Sequence, residues 1–300
     1  MFKLSNWKHL RISFSFYLLP VFIFALAHTP NLDPDRLWIV FMALHFFLYP
    51  SSNGYNSYYD KDEGSIGGLK NPPKVTEGLF YLSMAFLAIA LGLGLMINLA
   101  FTAMMALYTA VSMAYSHPAV RLKKYPIGGW LVAGLFQGYF TYAMVYAGLS
   151  GFGWHVFSSP HVYIPGLLTS VMIWGNYPLT QVYQHEEDSK RGDITMSIKL
   201  GIKGTFSFSA FWFFLAGLGF VLYFINQNQI WAVWAFLAAM TPAILFFYTW
   251  FYFVNRHPDR YANYIWAMWM VRIAATFLNI FFAYYFIERT QILQVIRSGM

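Results

Sequence analysis

Long runs of apolar residues that contain no Asp, Glu, Lys or Arg alternate with short polar segments along most of the chain. Two of these runs match the about 20 residues that an α-helix needs to cross a bilayer, and three are long enough for two helices. A C-terminal stretch, interrupted only by Arg272, adds one more. We therefore predict an all-α polytopic membrane protein with nine transmembrane helices, at residues 10–28, 37–59, 77–97, 100–116, 127–149, 161–186, 204–225, 229–254 and 262–287.

The composition supports this interpretation, because 58% of the 300 residues are apolar and only 10% are charged, against about 25% in a typical domain. The chain has no cysteine, which excludes disulfides and thiolate metal sites. Its net charge of +7 comes mainly from Lys and Arg before predicted helix 1 and after helices 2, 4, 6 and 8. By the positive-inside rule we expect an integral protein of a bacterial cytoplasmic membrane, with a cytoplasmic N-terminus, a site that faces the cytoplasm and no nucleic-acid partner.

A short pattern recurs at the ends of two predicted helices. Asn56 and Asp60 are spaced as Gln184 and Asp188 are, and in each case a glycine follows four residues later. Duplicated halves with a site at their interface are common in membrane proteins. We therefore predict one domain over residues 1–300, built from two pseudo-repeated four-helix halves and a ninth helix.

Most of the acidic residues fall in two clusters, which follow predicted helices 2 and 6. Acids are unfavourable at helix C-termini because the helix dipole is negative there, so a bound cation is indicated, and Mg²⁺ prefers oxygen ligands. The competing interpretation is that these acids are simply solvated. The first cluster holds Asn53, Asn56, Asp60, Asp62 and Glu63, and the second holds Gln184, His185, Glu186, Glu187, Asp188 and Asp193.

Basic residues lie close to both acidic clusters in the sequence. Lys and Arg are the side chains that a leaving diphosphate requires, and an apolar bundle beneath them would accept an isoprenoid tail. The alternative is that they only orient the protein in the membrane. The candidates for diphosphate binding are Lys70, Arg121, Lys123, Lys124 and Arg191.

A second group of polar residues consists of candidates for the cavity or for an acceptor molecule. Arg272 lies about nine residues into predicted helix 9, where a charge is costly unless it faces a cavity or a polar partner. It would either hold a carboxylate of the acceptor or stabilise helix packing. The other candidates are Asn53, Tyr115, Gln137, Asn176 and His185.

These features together resemble the UbiA superfamily of intramembrane prenyltransferases. The resemblance covers nearly the whole chain and includes two Asp-rich motifs, after helices 2 and 6. The segment YSHPAVRLKKYP (115–126) is similar to the loop of the family after helix 4, and EEDSKRGDITMSIKLG is similar to its loop after helix 6. The resemblance implies a UbiA-type bundle around a central cavity.

The resemblance also implies roles for individual residues. Asn56 and Asp60 match the first two ligand positions of the first motif, and Asp188 matches the last Asp of the second. Two positions depart from the family pattern, because Gly64 and Gln184 stand where acids are expected. Nearby acids are close enough in sequence to substitute, so the expected Mg²⁺ ligands are Asn56, Asp60, Asp62, Gln184, Glu187 and Asp188, with Asp60 and Asp188 catalytic.

The activity that the resemblance implies is Mg²⁺-dependent transfer of a prenyl group from a polyprenyl diphosphate to a small aromatic or quinone-precursor acceptor, within the bilayer. One alternative is a terpene cyclase of the same fold, which acts on a prenyl diphosphate without an acceptor. A second alternative is a non-enzymatic carrier of an ion or a lipid, although the acidic clusters on one side argue against it.

Overall fold

The computed structural model describes residues 3–297, which are predominantly helical and contain no β-strand beyond the isolated bridge Ile66–Leu69. The α-helices are Leu4–Leu10, Leu19–His28, Pro34–Phe41, Tyr49–Asp60, Gly78–Leu95, Leu99–Ser116, Pro126–Leu135, Thr141–Ser150, Pro160–Asn176, His185–Lys190, Met196–Asn226, Ile230–Arg256, Pro258–Tyr261, Tyr264–Thr290 and Ile292–Arg297. Short 3₁₀ or π segments are Ile12–Tyr17, Met42–Leu48, Leu122–Lys124, Phe136–Phe140, Trp154–Ser158 and Pro178–Gln181.

Five of the described helices are individually long and apolar enough to cross a bilayer. A sixth span is formed if Leu4–Tyr17 and Leu19–His28, which meet at a bend of 47°, are taken together. The all-α prediction is confirmed, whereas the count of nine helices and the division into two halves stay predictions. The five helices are Gly78–Leu95, Leu99–Ser116, Met196–Asn226, Ile230–Arg256 and Tyr264–Thr290.

The predicted helix 37–59 is present as a composite segment. An α-helix from Pro34 passes through the π segment Met42–Leu48 into the α-helix Tyr49–Asp60. Pro50 lies two residues after the end of the π segment, and its missing N–H removes one bond from the regular α-helical ladder. The π segment therefore lies next to the proline that interrupts the α-helical hydrogen bonding.

The predicted helix 127–149 also contains a π segment, Phe136–Phe140. This segment packs closely on the helix Pro160–Asn176, because a Cβ atom on Gly138 would come within 2.5 Å of the Ser170 backbone. The Ser170 hydroxyl accepts a hydrogen bond from the Tyr139 N–H at 2.8 Å. A glycine and a serine thus hold these two helices together at short range.

The predicted helix 161–186 was wrong in its extent, because the α-helix ends at Asn176. Pro178 has no N–H with which to bond the Trp174 carbonyl, and that carbonyl accepts the indole N–H of Trp130 instead, at 2.9 Å. A 3₁₀ turn follows, and then the separate helix His185–Lys190. Gln181, Gln184 and Asp188 therefore do not lie on one continuous helix.

The predicted helix 10–28 is broken at Arg11, whose backbone is left-handed with φ 46° and ψ 48°. The helix Leu4–Leu10 precedes the break, and the 3₁₀ segment Ile12–Tyr17 follows it. Left-handed residues commonly end helices, although glycine is usual at this position. The break separates a short N-terminal helix from the first apolar segment.

The helix Leu19–His28, near the N-terminus, packs against the helix Tyr264–Thr290, near the C-terminus. Phe24 of Leu19–His28 stacks on Phe282 of Tyr264–Thr290, with ring centroids 4.5 Å apart. The Arg289 side chain donates a hydrogen bond to the Ala27 carbonyl at 2.9 Å. Buried aromatic residues fill this end of the bundle, including Phe24, Phe220, Phe224, Phe282 and Tyr285.

The hydrogen bond from Trp130 to the Trp174 carbonyl gives a stability prediction. We expect Trp130→Phe to lower the free energy of unfolding in detergent by about 1 kcal/mol beyond its packing loss, because a carbonyl that Pro178 leaves unpaired loses its donor. The matched control is Trp212→Phe in the same aromatic cluster, since the Trp212 N–H has no acceptor in the part of the chain described. Equal losses in the two variants would contradict this account.

Candidate functional site

One cavity of about 310 Å³ receives side chains from both acidic clusters. Asp60 and Asp62 of the first cluster and Asp188 of the second all line it. Two amides, Asn56 and Gln184, lie in the same wall. The structure therefore brings together segments that are more than 120 residues apart in sequence.

Helical geometry places one set of these residues. Tyr49, Ser52, Asn56 and Asp60 follow one another at spacings of three or four residues on Tyr49–Asp60, so they share the face that lines the cavity. Lys61 then ends the helix in the left-handed conformation, with φ 51°. Asp62 follows this turn and also lines the cavity.

Arg191 joins the two acidic clusters by direct ion pairs. Its guanidinium group contacts Asp62 of the first cluster and, at 2.7 Å, Asp188 of the second. Across the same cavity the Lys123 ammonium group contacts Asp60. The side chains of all three acids are less than 10% exposed, so these pairs are far less screened by water than surface pairs are.

Arg121 lies behind the cavity wall and forms a bidentate pair with Asp193. The distances are 2.7 Å from Nε to Oδ1 and 2.8 Å from Nη2 to Oδ2. Arg121 also approaches Asp60 at 3.4 Å, so it supports the wall without lining the cavity. The diphosphate-binding role expected for Arg121 is thus less direct than that expected for Lys123 or Arg191.

The pKa values divide these carboxyl groups into two kinds. Burial raises the pKa of Asp188 to about 6 despite the opposing charge of Arg191, and burial likewise raises the pKa of Asp62. Burial also acts on Asp193, but the hydrogen bond and charge of Arg121 outweigh it and lower the pKa. Burial therefore disfavours the charged forms of Asp62 and Asp188, whereas Arg121 stabilises the charged form of Asp193.

Glu187 joins the two acidic segments and does not line the cavity. Its carboxylate accepts a hydrogen bond from the Gly64 N–H at 2.9 Å. A Cβ atom on Gly64 would come within 3.0 Å of the same carboxylate oxygen. Gly64 stands where the sequence analysis expected an acid. The carboxylate of Glu187 lies beside the Gly64 backbone, where a side chain on residue 64 would begin.

Besides Arg121 and Glu187, four further residues proposed from the sequence lie outside the cavity. Lys70 is exposed, and the Lys124 ammonium group lies 4.9 Å from the ring centroid of Tyr125. His185 contacts the Ser197 hydroxyl at 2.7 Å, and burial lowers its pKa. Arg272 is exposed and lines a separate lateral groove, where its guanidinium group lies 5.7 Å from the ring centroid of Trp269.

Arg272 was expected to face the cavity or a polar partner, but it does not line the cavity that holds the acidic clusters. Its long side chain lies at the surface of helix Tyr264–Thr290, over the ring of Trp269. The remaining polar candidates do line the cavity, and these are Asn53, Tyr115, Gln137 and Asn176.

Arg11 also lines the cavity, and the sequence analysis did not propose it as a site residue. The sequence feature that could have indicated Arg11 is its position directly before a long apolar run. The backbone break that positions Arg11 beside the cavity has no signature in the hydrophobic pattern.

The donor set of the cavity suits a hard cation, because the available ligands are carboxylate and amide oxygens. Within residues 3–297, no three acidic or histidine side chains are grouped closely enough to hold a metal by themselves. The carboxylates face the cavity from two sides and are paired with Lys123 and Arg191. A ligand that supplies further oxygens would complete such a site, as phosphates commonly do for Mg²⁺.

Comparison with known proteins identifies the family. The profile of the UbiA prenyltransferase family matches residues 17–273, so this chain belongs to that family. A search of the curated proteins finds no match. The fold is that of an all-α integral membrane protein of this family, which confirms the predicted fold class.

Several solved structures share this fold. A UbiA homologue from Archaeoglobus fulgidus bound to GPP and Mg²⁺ is similar at a TM-score of 0.66 and 20% identity, over 93% of this chain and 98% of that one. The apo structure of a UbiA homologue from Aeropyrum pernix K1 gives a TM-score of 0.70 at 16% identity, over 93% and 99%. A digeranylgeranylglyceryl phosphate synthase structure gives 0.59 at 19% identity, over 96% and 98%.

The pairing of Arg121 with Asp193 gives a second stability prediction. We expect Arg121→Gln to destabilise the protein by about 3 kcal/mol, because it removes the bidentate partner of the buried Asp193 and leaves it only the longer contact with Arg191 at 3.5 Å. Thermal or denaturant unfolding in detergent measures this. Lys190→Gln, which removes an exposed pair with Glu186, is the control and should leave the stability almost unchanged. A similar small loss for Arg121→Gln would show that the pair is not a structural anchor.

Proposed function

We propose that this protein transfers a prenyl group from a prenyl diphosphate to a small acceptor within the membrane, and that the reaction depends on Mg²⁺. The observation that carries the proposal is the shared cavity, in which Asp60, Asp62 and Asp188 face Lys123 and Arg191. Family membership and the GPP and Mg²⁺ bound to the Archaeoglobus fulgidus homologue support it.

The metal ligands in this proposal are Asp60, Asp62 and Asp188, with the amide oxygens of Asn56 and Gln184 beside them. Mg²⁺, when bound, neutralises charge on the diphosphate and so promotes its departure. Asn56 already has a fixed orientation, because its Oδ1 accepts a hydrogen bond from the Ser116 hydroxyl. Burial disfavours the charged forms of Asp62 and Asp188, so a nearby cation lowers the free energy of both.

Lys123 and Arg191 are the diphosphate-binding residues in this proposal. Both line the cavity and both are paired with carboxylates there. If those carboxylates bound a cation, the ammonium group of Lys123 and the guanidinium group of Arg191 would be free to bind phosphate oxygens. Arginine is suited to this task because its planar fork binds phosphate through two parallel hydrogen bonds.

The reaction begins with heterolytic cleavage of the allylic C–O bond, and the bonding electrons leave with the diphosphate. The resulting carbocation is captured by the acceptor, which loses a proton, so the products are the prenylated acceptor, diphosphate and a proton. Tyr115, Tyr177 and Tyr183 line the cavity, and electron-rich rings stabilise a nearby cation. We propose an aromatic or quinone-precursor acceptor and a site that opens to the bacterial cytoplasm.

Two observations favour a transferase over the alternatives. The uncharged amides Gln137 and Asn176 line the cavity, and hydrogen-bonding groups suit an acceptor better than they suit a hydrocarbon chain that cyclises on itself. Buried aromatic side chains such as Phe24 and Phe282 fill another part of the bundle, whereas a carrier needs access from both sides.

The proposal predicts the effect of removing single carboxylates. We expect Asp60→Asn and Asp188→Asn each to reduce the release of diphosphate from geranyl diphosphate by about 100-fold or more in the presence of Mg²⁺, because charge stabilisation at the leaving group is lost. Chelation of Mg²⁺ should have an equal or greater effect on the unaltered protein. Asp259→Asn alters an exposed acid that lies outside the cavity, and it should leave the rate unchanged.

Diphosphate release by purified protein, followed with radiolabelled substrate, measures these rates. Full activity in both Asp60→Asn and Asp188→Asn would contradict the assignment of the site. Mass spectrometry of the lipid products then separates the alternatives, since a cyclase converts the prenyl diphosphate without any acceptor.

A further inference from the structure

Arg11 differs from the other basic residues that line the cavity. In the part of the chain described, the lining cations are Arg11, Lys123 and Arg191. Lys123 is paired with Asp60, and Arg191 is paired with four acids, which are Asp62, Glu187, Asp188 and Asp193. No carboxylate among the described residues forms a salt bridge with Arg11. Arg11 therefore presents a positive charge that the protein itself does not neutralise by contact.

The neighbours of the Arg11 guanidinium group are neutral. Nη1 donates to the Gly67 carbonyl at 2.9 Å, and Nη2 donates to the Asn53 carbonyl at 3.4 Å. The ring centroid of Phe14 lies 5.4 Å away, and Nε is enclosed without an acceptor in the described structure. These contacts hold the group in place. The carboxylates of Asp60 and Asp62 act on its charge only from beyond salt-bridge distance, so the direct contacts do not offset the cost of its burial.

The backbone at Arg11 is also held in an unfavourable conformation. Its left-handed φ of 46° costs about 1–2 kcal/mol for a residue other than glycine. Strain of this kind persists only where the surrounding structure enforces it, and it is concentrated at functional sites. Here it sits at the break between Leu4–Leu10 and Ile12–Tyr17, so the side chain enters the cavity from a segment that belongs to neither acidic cluster.

We propose that Arg11 forms an additional subsite for an oxyanion in the cavity, and that this subsite binds a phosphate or carboxylate group of a substrate. The inference rests on the proposed function for the identity of the substrates. The anion comes either from the diphosphate of the prenyl donor or from an acidic group on the acceptor, and the same chemistry serves both.

The chemistry of this subsite differs from that of Lys123 and Arg191. Those two cations already share their charge with carboxylates of the protein, whereas Arg11 forms no ion pair with which an incoming anion would compete. A guanidinium group also remains charged at every relevant pH. Arg11 is thus the cation that is ready to receive the first negatively charged group that enters the cavity.

The experiment measures anion binding to the purified full-length protein in detergent, by calorimetry and thermal shift. The probes are inorganic diphosphate with Mg²⁺, and benzoate added at saturating diphosphate. We expect Arg11→Gln to weaken the binding of one of these anions by about tenfold or more, as the loss of a charge-assisted hydrogen bond does. Weaker diphosphate binding assigns the subsite to the donor, and weaker benzoate binding assigns it to the acceptor.

The matched control is Arg256→Gln, which also removes one arginine charge but at an exposed position over Tyr252, outside the cavity. It should bind both anions as the unaltered protein does. Arg11→Lys keeps the charge and loses the fork, so we expect an intermediate loss of affinity. This variant decides the question if Arg11→Gln does not fold.

The proposed subsite is overturned if Arg11→Gln binds both anions as tightly as the unaltered protein does, even if its melting temperature is lower. If Arg11→Gln does not fold, the same result with Arg11→Lys overturns it. Failure of the unaltered protein to bind either anion also overturns it. The proposed function fails separately: the unaltered protein would then bind diphosphate but release none from geranyl diphosphate. Binding of the probes requires no turnover, so the two failures are distinguishable.

Discussion

The contact of one guanidinium group with carboxylates from two distant segments is the interaction on which the site depends. Arg191 holds Asp62, 129 residues away in sequence, and Asp188 within its own segment. Both carboxylates are nearly removed from water, and neither would tolerate the other nearby without a cation between them. The geometry of the cavity follows from this electrostatic requirement as much as from helix packing.

Interruptions of regular helices place these groups within reach of one another. Pro178 ends one helix and releases the segment that carries Asp188, and left-handed residues at Arg11 and Lys61 turn two other segments toward the cavity. Each interruption is costly in backbone hydrogen bonding or conformation. The aromatic core at Phe24 and Phe282 contributes burial that offsets such costs elsewhere in the bundle.

The apolar periodicity of the sequence was sufficient to predict an all-α membrane fold, and a spacing of four residues was sufficient to place Asn56 and Asp60 on one helix face. The continuous helix 161–186 was predicted wrongly because apolar content does not report the bond that Pro178 removes. Side-chain direction was also beyond prediction: Lys124, His185 and Arg272 each found a partner outside the cavity. Arg11 was missed because a left-handed backbone angle leaves no mark in the hydrophobic pattern.

The central claim is that a buried ion pair joins the two acidic segments at one cavity, and a double-mutant cycle on Asp62 and Arg191 tests it most directly. The free energy of unfolding would be measured in detergent for Asp62→Asn, Arg191→Gln, the double variant and the unaltered protein. Contact between these side chains predicts a coupling energy of about 1–3 kcal/mol. Additivity within about 0.3 kcal/mol would show that the two segments do not meet in this way.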